Sequence, residues 1–360
     1  MIDFKLYLQQ ERMKSVEVLK QFLKTRRAYR KIDLSFKVYF DNLSTYLLAG
    51  GKMARPVLAR LAYDLLGGKE RERVILGSLA TEVFHRFILT HDDLIDRDLT
   101  RHGQPTLEKI YQEELNTMKV TKPMATYALG MAMESGDLIH ALTYELILES
   151  GFPGEIAVQV IRGFIQCTFE TVAGWRLESM IKQRAINEVN LTQVRKVMTL
   201  VSAQYSVVWP LRIGELFAGV ENGAWNETVE SFGLNVGLAF QIQDDVLGIF
   251  GDPKITGKPV GGDLREGKKS YVLMRGYKLA NLKEKQILEE ANGNETISQS
   301  EIERVRQILN RVGALDWALV QAQRLAKQGS KTLETIRNQQ NGEIIDRLQQ
   351  LGEFLAKRDF

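Results

Sequence analysis

The chain has 360 residues, of which 44% are apolar and 26% charged, values that suit a protein with a sizeable buried core and exclude a disordered or low-complexity one. Lysine and arginine (48) nearly balance aspartate and glutamate (45), leaving a formal charge of +3, so no basic field of the kind nucleic-acid binding requires is present. A lone cysteine, Cys167, excludes an internal disulfide and suits a reducing compartment.

The N-terminus carries Asp3 and Lys5 among its apolar residues and lacks the pattern of a signal peptide. No stretch approaches the roughly eighteen apolar residues of a membrane span, and a cytoplasmic protein is expected. With seven prolines and apolar residues recurring at spacings of three and four, the whole chain reads as helix. The expectation is one all-α domain over residues 1–360, a helical bundle around a central active-site cavity.

In chain order, residues 1–30 predict a peripheral helix rich in Lys, Arg and Gln. Breaks follow at Gly50-Gly51 and Gly67-Gly68. The clearest element runs from Leu76 to Asp98, where Leu76, Leu79, Ala80, Val83, Phe84, Phe87 and Ile88 make one apolar face. Further breaks are expected at Gly103 to Pro105, Lys122-Pro123, Gly151 to Gly154, Gly219 to Gly223, Gly251 to Gly262 and Asn292 to Asn294. Most are short, as between helices of one bundle. Residues 282–360 keep helical spacing, with Ile302, Val305, Ile308, Leu309 and Val312 on one stripe, and belong to the same domain.

Two acidic clusters stand out. His91-Asp92-Asp93-Leu94-Ile95-Asp96 ends the long apolar helix, and at 3.6 residues per turn Asp92 and Asp96 lie on one face, roughly 6 Å apart. Phe240-Gln241-Ile242-Gln243-Asp244-Asp245 repeats the arrangement after a second apolar run. One such cluster would be an ordinary solvated helix end. Two of them offer an all-oxygen ligand set suited to magnesium, which favours a few carboxylates, water and phosphate oxygens. Cations lie beside both: Lys52 and Arg55 in Gly50-Gly51-Lys52-Met53-Ala54-Arg55-Pro56, Arg101-His102-Gly103, Gly257-Lys258-Pro259, and Arg265 to Lys269. The glycine turn is expected to enter a helix with Lys52 and Arg55, three apart, on the same face, and it also brings helix-start amides, a natural anion site.

In this ordered set the chain resembles the trans-polyprenyl diphosphate synthases: Gly-Gly-Lys-x-x-Arg-Pro at 50–56, DDxxD at 92–96, a second pair at Asp244-Asp245, and the loop from Thr256-Gly257-Lys258-Pro259 through Asp263 to Lys269. The resemblance implies the type I isoprenoid synthase fold, a homodimer, and three magnesium ions per active site held by Asp92, Asp96 and Asp244, with Asp93 and Asp245 supporting. It implies that Lys52, Arg55, His85 and His102 bind isopentenyl diphosphate, that Arg101, Lys258 and Lys268 bind the allylic diphosphate, and that Gln241 lies near the developing cation. Phe84, Phe87 and Ile88 lie where the family sets product length. Phe87, five residues before Asp92, points to a C20 product, with C15 and C25 the alternatives.

The match has departures. His102 stands where an arginine is usual, Val201-Ser202 where a Lys-Thr pair is, Trp175 where a glutamine is and Glu178 where an aspartate is; the second motif ends at Gly248. A thinner cationic shell keeps open a weakly active or inactive partner subunit of such a synthase. A type I terpene cyclase is the other alternative, disfavoured by Asp244-Asp245 and by the Lys52/Arg55 turn.

Overall fold

Capping boxes mark where several helices begin. Asn190, Asn281 and Ser298 each accept from the backbone N–H three residues on, while Gln193, Glu284 and Glu301 return the bond, satisfying amides that a helix leaves without internal partners. The computed structural model describes residues 3–26, 33–49, 51–101, 103–118, 124–220, 223–251 and 261–356, and among these the only ladder is a two-residue hairpin. The fold class is all-α, as the spacing predicted.

The chain divides into two compact units, Met1–Gly163 with Pro210–Glu221, and Phe164–Trp209 with Asn222–Phe360. The first holds α1 (Phe4–Thr25), α2 (Leu34–Leu48), α3 (Ala54–Leu65), α4 (Arg71–Asp96), the strands β1 (Thr100–Arg101) and β2 (Gln104–Pro105), α5 (Leu107–Thr117) and α6 (Met124–Glu149). Within it α4 is the central element, packing against α6, α3 and α1. Leu79, Ala80, Val83, Phe84, Phe87 and Ile88 are buried, and Leu76 is half-buried. The helix begins five residues before the expected Leu76 and stops at Asp96 rather than Asp98. It stops because Arg97 turns left-handed (φ 59°) and the Arg97 N–H reaches back to the Asp93 carbonyl. The expected peripheral helix is α1, whose Leu8, Leu19, Phe22 and Leu23 are buried.

The second unit contains α8 (Leu191–Met198), α10 (Gly223–Phe250), α11 (Gly262–Arg265), α12 (Tyr271–Leu279), α13 (Leu282–Ala291), α14 (Gln299–Arg311), α15 (Ala314–Leu333) and α16 (Gly342–Ala356). The unit boundary falls within α7 (Gly154–Lys182) and α9 (Trp209–Ala218). α10 packs on α15, on α16 and on a ten-residue π-helical segment, Thr199–Val208, that continues α8. Such wide turns are uncommon and concentrate at functional sites; periodicity did not predict this one. A β-carbon on Gly237 would lie 2.5 Å from the Ala203 Cα, so glycine is what lets α10 approach the widened turn. On α14 Ile302, Val305, Ile308 and Leu309 are buried, as the stripe predicted. No helix among the described residues is long and apolar enough to cross a membrane.

Candidate active site

At the first acidic motif the three aspartates have different surroundings. Asp92 and Asp96 are half-buried, one helical turn apart at the end of α4. Asp93 is 3% exposed and accepts from Arg101 Nε at 2.5 Å. The hairpin makes this pairing: Thr100 and Arg101 pair with Pro105 and Gln104, and the Thr106 N–H and hydroxyl bond the Leu99 and Asp98 carbonyls, folding Arg101 back over α4. Burial pulls the guanidinium pKa down, but Asp93 and Asp92 overcome that and hold it above its ordinary value. On the other flank, Thr90 donates to the Tyr46 hydroxyl at 3.4 Å and Arg86 lies over the Tyr46 ring at 5.3 Å. Sequence reading missed Arg86, which lies outside any motif, six residues before Asp92.

The glycine turn is tightly specified. Gly51 has φ 111° and Met53 φ 51°, left-handed values that a non-glycine residue such as Met53 adopts only at a cost. Met53 is 1% exposed and caps α3, whose first residue is Ala54. Lys52 therefore lies in the turn and not one helical turn from Arg55 on a shared face, which corrects the sequence reading: the two left-handed residues delay the helix. Lys52 is exposed, while Arg55 and His85 are half-buried.

The second motif repeats the asymmetry. Asp244 is half-buried, while Asp245 is 1% exposed. Asp245 accepts from Gln241 Nε2 at 3.0 Å, from the Tyr271 amide at the start of α12 at 2.8 Å, and from Lys268 Nζ at 3.1 Å. Burial alone would pull the Lys268 ammonium down, but Asp245, Asp263, Glu178 and Asp244 raise it well above its ordinary value. Gly248, where the motif lacks a third aspartate, makes room for Asp263: a β-carbon there would lie 2.3 Å from the Asp263 carboxylate, which sits 3.7 Å from Lys268 Nζ. Lys269, read as one of the loop cations, instead donates to the Lys182 and Gly267 carbonyls, closing the end of α7. Glu178, Val201, Gln241, Asp245 and Lys268 border one small cleft. Val201 packs on Gly174, whose β-carbon would lie 2.7 Å from it, so the Trp175 and Val201 departures are neighbours. His102 and Lys258 lie outside the described residues.

Below Asp92, Phe84, Phe87 and Ile88 are all buried. Phe87 stacks on His140 of α6 at 4.4 Å between centroids and meets the His91 ring edge-on at 4.9 Å, with Phe84 5.4 Å from Phe87. Gly136 lets α6 approach: a β-carbon there would lie 2.3 Å from the His91 ring.

The polyprenyl synthetase family model matches residues 37–309. The chain belongs to the polyprenyl synthetase family. It is 32% identical over 317 residues to a geranylgeranyl diphosphate synthase of Sulfolobus acidocaldarius, covering 86% of this chain and 88% of that one. To a geranylfarnesyl diphosphate synthase of Aeropyrum pernix it is 32% identical, covering 75% and 79%. The structure of a geranylgeranyl pyrophosphate synthase from Corynebacterium glutamicum, complexed with isoprenyl diphosphate and magnesium, matches 99% of this chain and 100% of that one with a TM-score of 0.90 at 23% identity, which shows the polyprenyl synthetase fold.

Lys268→Met leaves Asp245 buried beside fewer donors, and a urea titration should show about 3 kcal/mol lost; an unchanged midpoint would mean that Gln241 and the Tyr271 amide suffice. Burial holds the His140 imidazole below its ordinary value, with His91 acting in the same direction and Asp137 against it; the ring's Nε2 also bonds the Tyr144 hydroxyl. The unfolded chain therefore takes up this proton more readily, so the contribution to stability is complete above about pH 6.5 and declines as pH falls. The melting temperature should drop less between pH 7.5 and 5 in His140→Phe than in the parent, and equal drops would exclude the histidine as the cause.

Proposed function

We propose that this chain is a short-chain trans-polyprenyl diphosphate synthase, adding isopentenyl diphosphate to an allylic diphosphate to give mainly geranylgeranyl diphosphate. The observation that carries the reading is the asymmetry within each aspartate pair. Asp93 and Asp245 are buried and neutralised, by Arg101 and by Lys268 respectively, while Asp92, Asp96 and Asp244 are only half-buried. No group of three or more such side chains gathers by itself into a metal site among the described residues. Hard, partly open carboxylates in small number still fit an ion that completes its shell with water and phosphate oxygens.

Asp92, Asp96 and Asp244 would hold magnesium, three ions per active site, which when bound stabilises the charge on the departing diphosphate. Arg101 and Lys268 hold the Asp93 and Asp245 carboxylates in place, so that their neighbours stay oriented. Arg101, Lys258 and Lys268 bear on the allylic diphosphate; Lys52, Arg55, His85 and His102 bind the isopentenyl diphosphate. Gln241, fixed by its bond to Asp245, presents its carboxamide oxygen near the allylic cation. Apolar residues exclude water from that cation, and no protein nucleophile takes part. Phe84 and Phe87, braced by His140, are the wall that limits chain growth, with Ile88 behind the same helical turn.

The chain acts as one synthase domain and as a homodimer. Supporting the dimer, Val158, Ile165, Phe169 and Val172 of α7 are exposed at spacings of seven, four and three, one apolar stripe along a helix.

Purified protein with magnesium, labelled isopentenyl diphosphate and dimethylallyl, geranyl or farnesyl diphosphate should yield a C20 alcohol after dephosphorylation. Asp92→Ala should reduce the rate at least about a hundredfold, and Phe87→Ala should shift product towards C25 and longer. No elongation with any primer would refute the enzyme. Light scattering should find a dimer that Phe169→Glu weakens; a monomeric parent would end the dimer proposal.

A further inference from the structure

The turn that carries Lys52 into α3 is held by residues outside the motif. From α1, Arg12 Nε–H donates to the Gly51 carbonyl at 2.9 Å. From α4, Glu82 Oε1 would lie 2.8 Å and Arg86 Nη2 3.6 Å from a β-carbon on Gly51, so a carboxylate and a guanidinium press against that residue. Glu82 is 3% exposed, and its Oε2 has no hydrogen-bond partner among the described residues; a carboxylate at that depth is costly. Nor is α1 a loose arm. Next to Arg12, Glu11 meets the buried Arg60 of α3 at 3.3 Å, and Arg60 also donates to Ser15 of α1 at 3.1 Å and to Ser78 of α4 at 3.3 Å. Arg12 thus reaches Gly51 from a helix locked to both α3 and α4.

We infer that Arg12 and Glu82 are positioning residues for the diphosphate site at Lys52 and Arg55, so that the N-terminal helix sets the affinity for isopentenyl diphosphate; this rests on the function proposed above. A peptide unit is planar and trans. With the Gly51 carbonyl fixed on Arg12, the following Lys52 N–H is directed the opposite way, and the course of the chain into Met53 is set. Release of that carbonyl lets the peptide rotate about the permissive Gly51 and moves Lys52, while α3 stays in place.

The test compares Arg12→Met, Arg12→Lys, Glu82→Gln and the exposed control Lys20→Gln, by steady-state kinetics and by calorimetric titration of isopentenyl diphosphate without metal. Loss of one positioning hydrogen bond should raise Kd and KM for isopentenyl diphosphate about three- to tenfold in Arg12→Met. Arg12→Lys, which keeps a donor, should recover most of the affinity, and Glu82→Gln should follow Arg12→Met. Lys20→Gln should match the parent, and kcat and the allylic KM should hardly move. An unchanged Kd in Arg12→Met, or equal losses for both substrates, would overturn the inference while leaving the synthase reading intact if the parent condenses its substrates. A parent that makes no product would refute the synthase reading, and the titration would still decide the positioning role; a parent that binds no isopentenyl diphosphate would overturn that too.

Discussion

Two carboxylates on adjacent residues of one helix cannot both be taken out of water without opposite charge close by, and much of the local architecture answers that constraint. The protein resolves it by dividing each pair. One member is buried against a dedicated cation, and the other is left partly open at the end of its helix. Asp93 requires Arg101, and Arg101 requires the small hairpin that turns it back over α4. Asp245 requires Lys268, the Tyr271 amide and Gln241, and therefore the chain between α11 and α12 that carries Lys268.

The same economy appears where the sequence departs from the family pattern. Gly248 is less the loss of an aspartate than the space into which the Asp263 carboxylate fits; a side chain at 248 would push that carboxylate away from Lys268. Val201 lies at the start of the π-helical segment against Gly174, so the apolar replacement stands where helices come close and a lysine would have to extend past its neighbour. These substitutions reshape the packing around the second motif and leave its buried ion pair in place.

Much was legible in the residue order. Spacing identified α4 and its buried face, the stripe on α14 and most of the breaks, because apolar burial at period 3.6 is a local signal. The two acidic motifs and the glycine turn could be read for the same reason: their residues are neighbours in sequence. Arg12, Glu82 and Arg86 could not be read this way. Arg12 reaches Gly51 across 39 positions, and nothing local marks a lysine- and arginine-rich amphipathic helix as support for a distant turn. The placement of Lys52 outside α3 likewise depends on left-handed conformations at Gly51 and Met53, and methionine gives no hint of one.

By itself the sequence determined the all-helical class, the family and which residues are chemically equipped to bind a diphosphate and its metal, since each follows from periodicity or from contiguous motifs. Only the tertiary structure decided which aspartate of each pair is buried, which cation neutralises it, and which aromatic and imidazole rings stack beneath Asp92. Those outcomes depend on which side chains exclude water from one another, and long-range contacts fix that where no short window of sequence can.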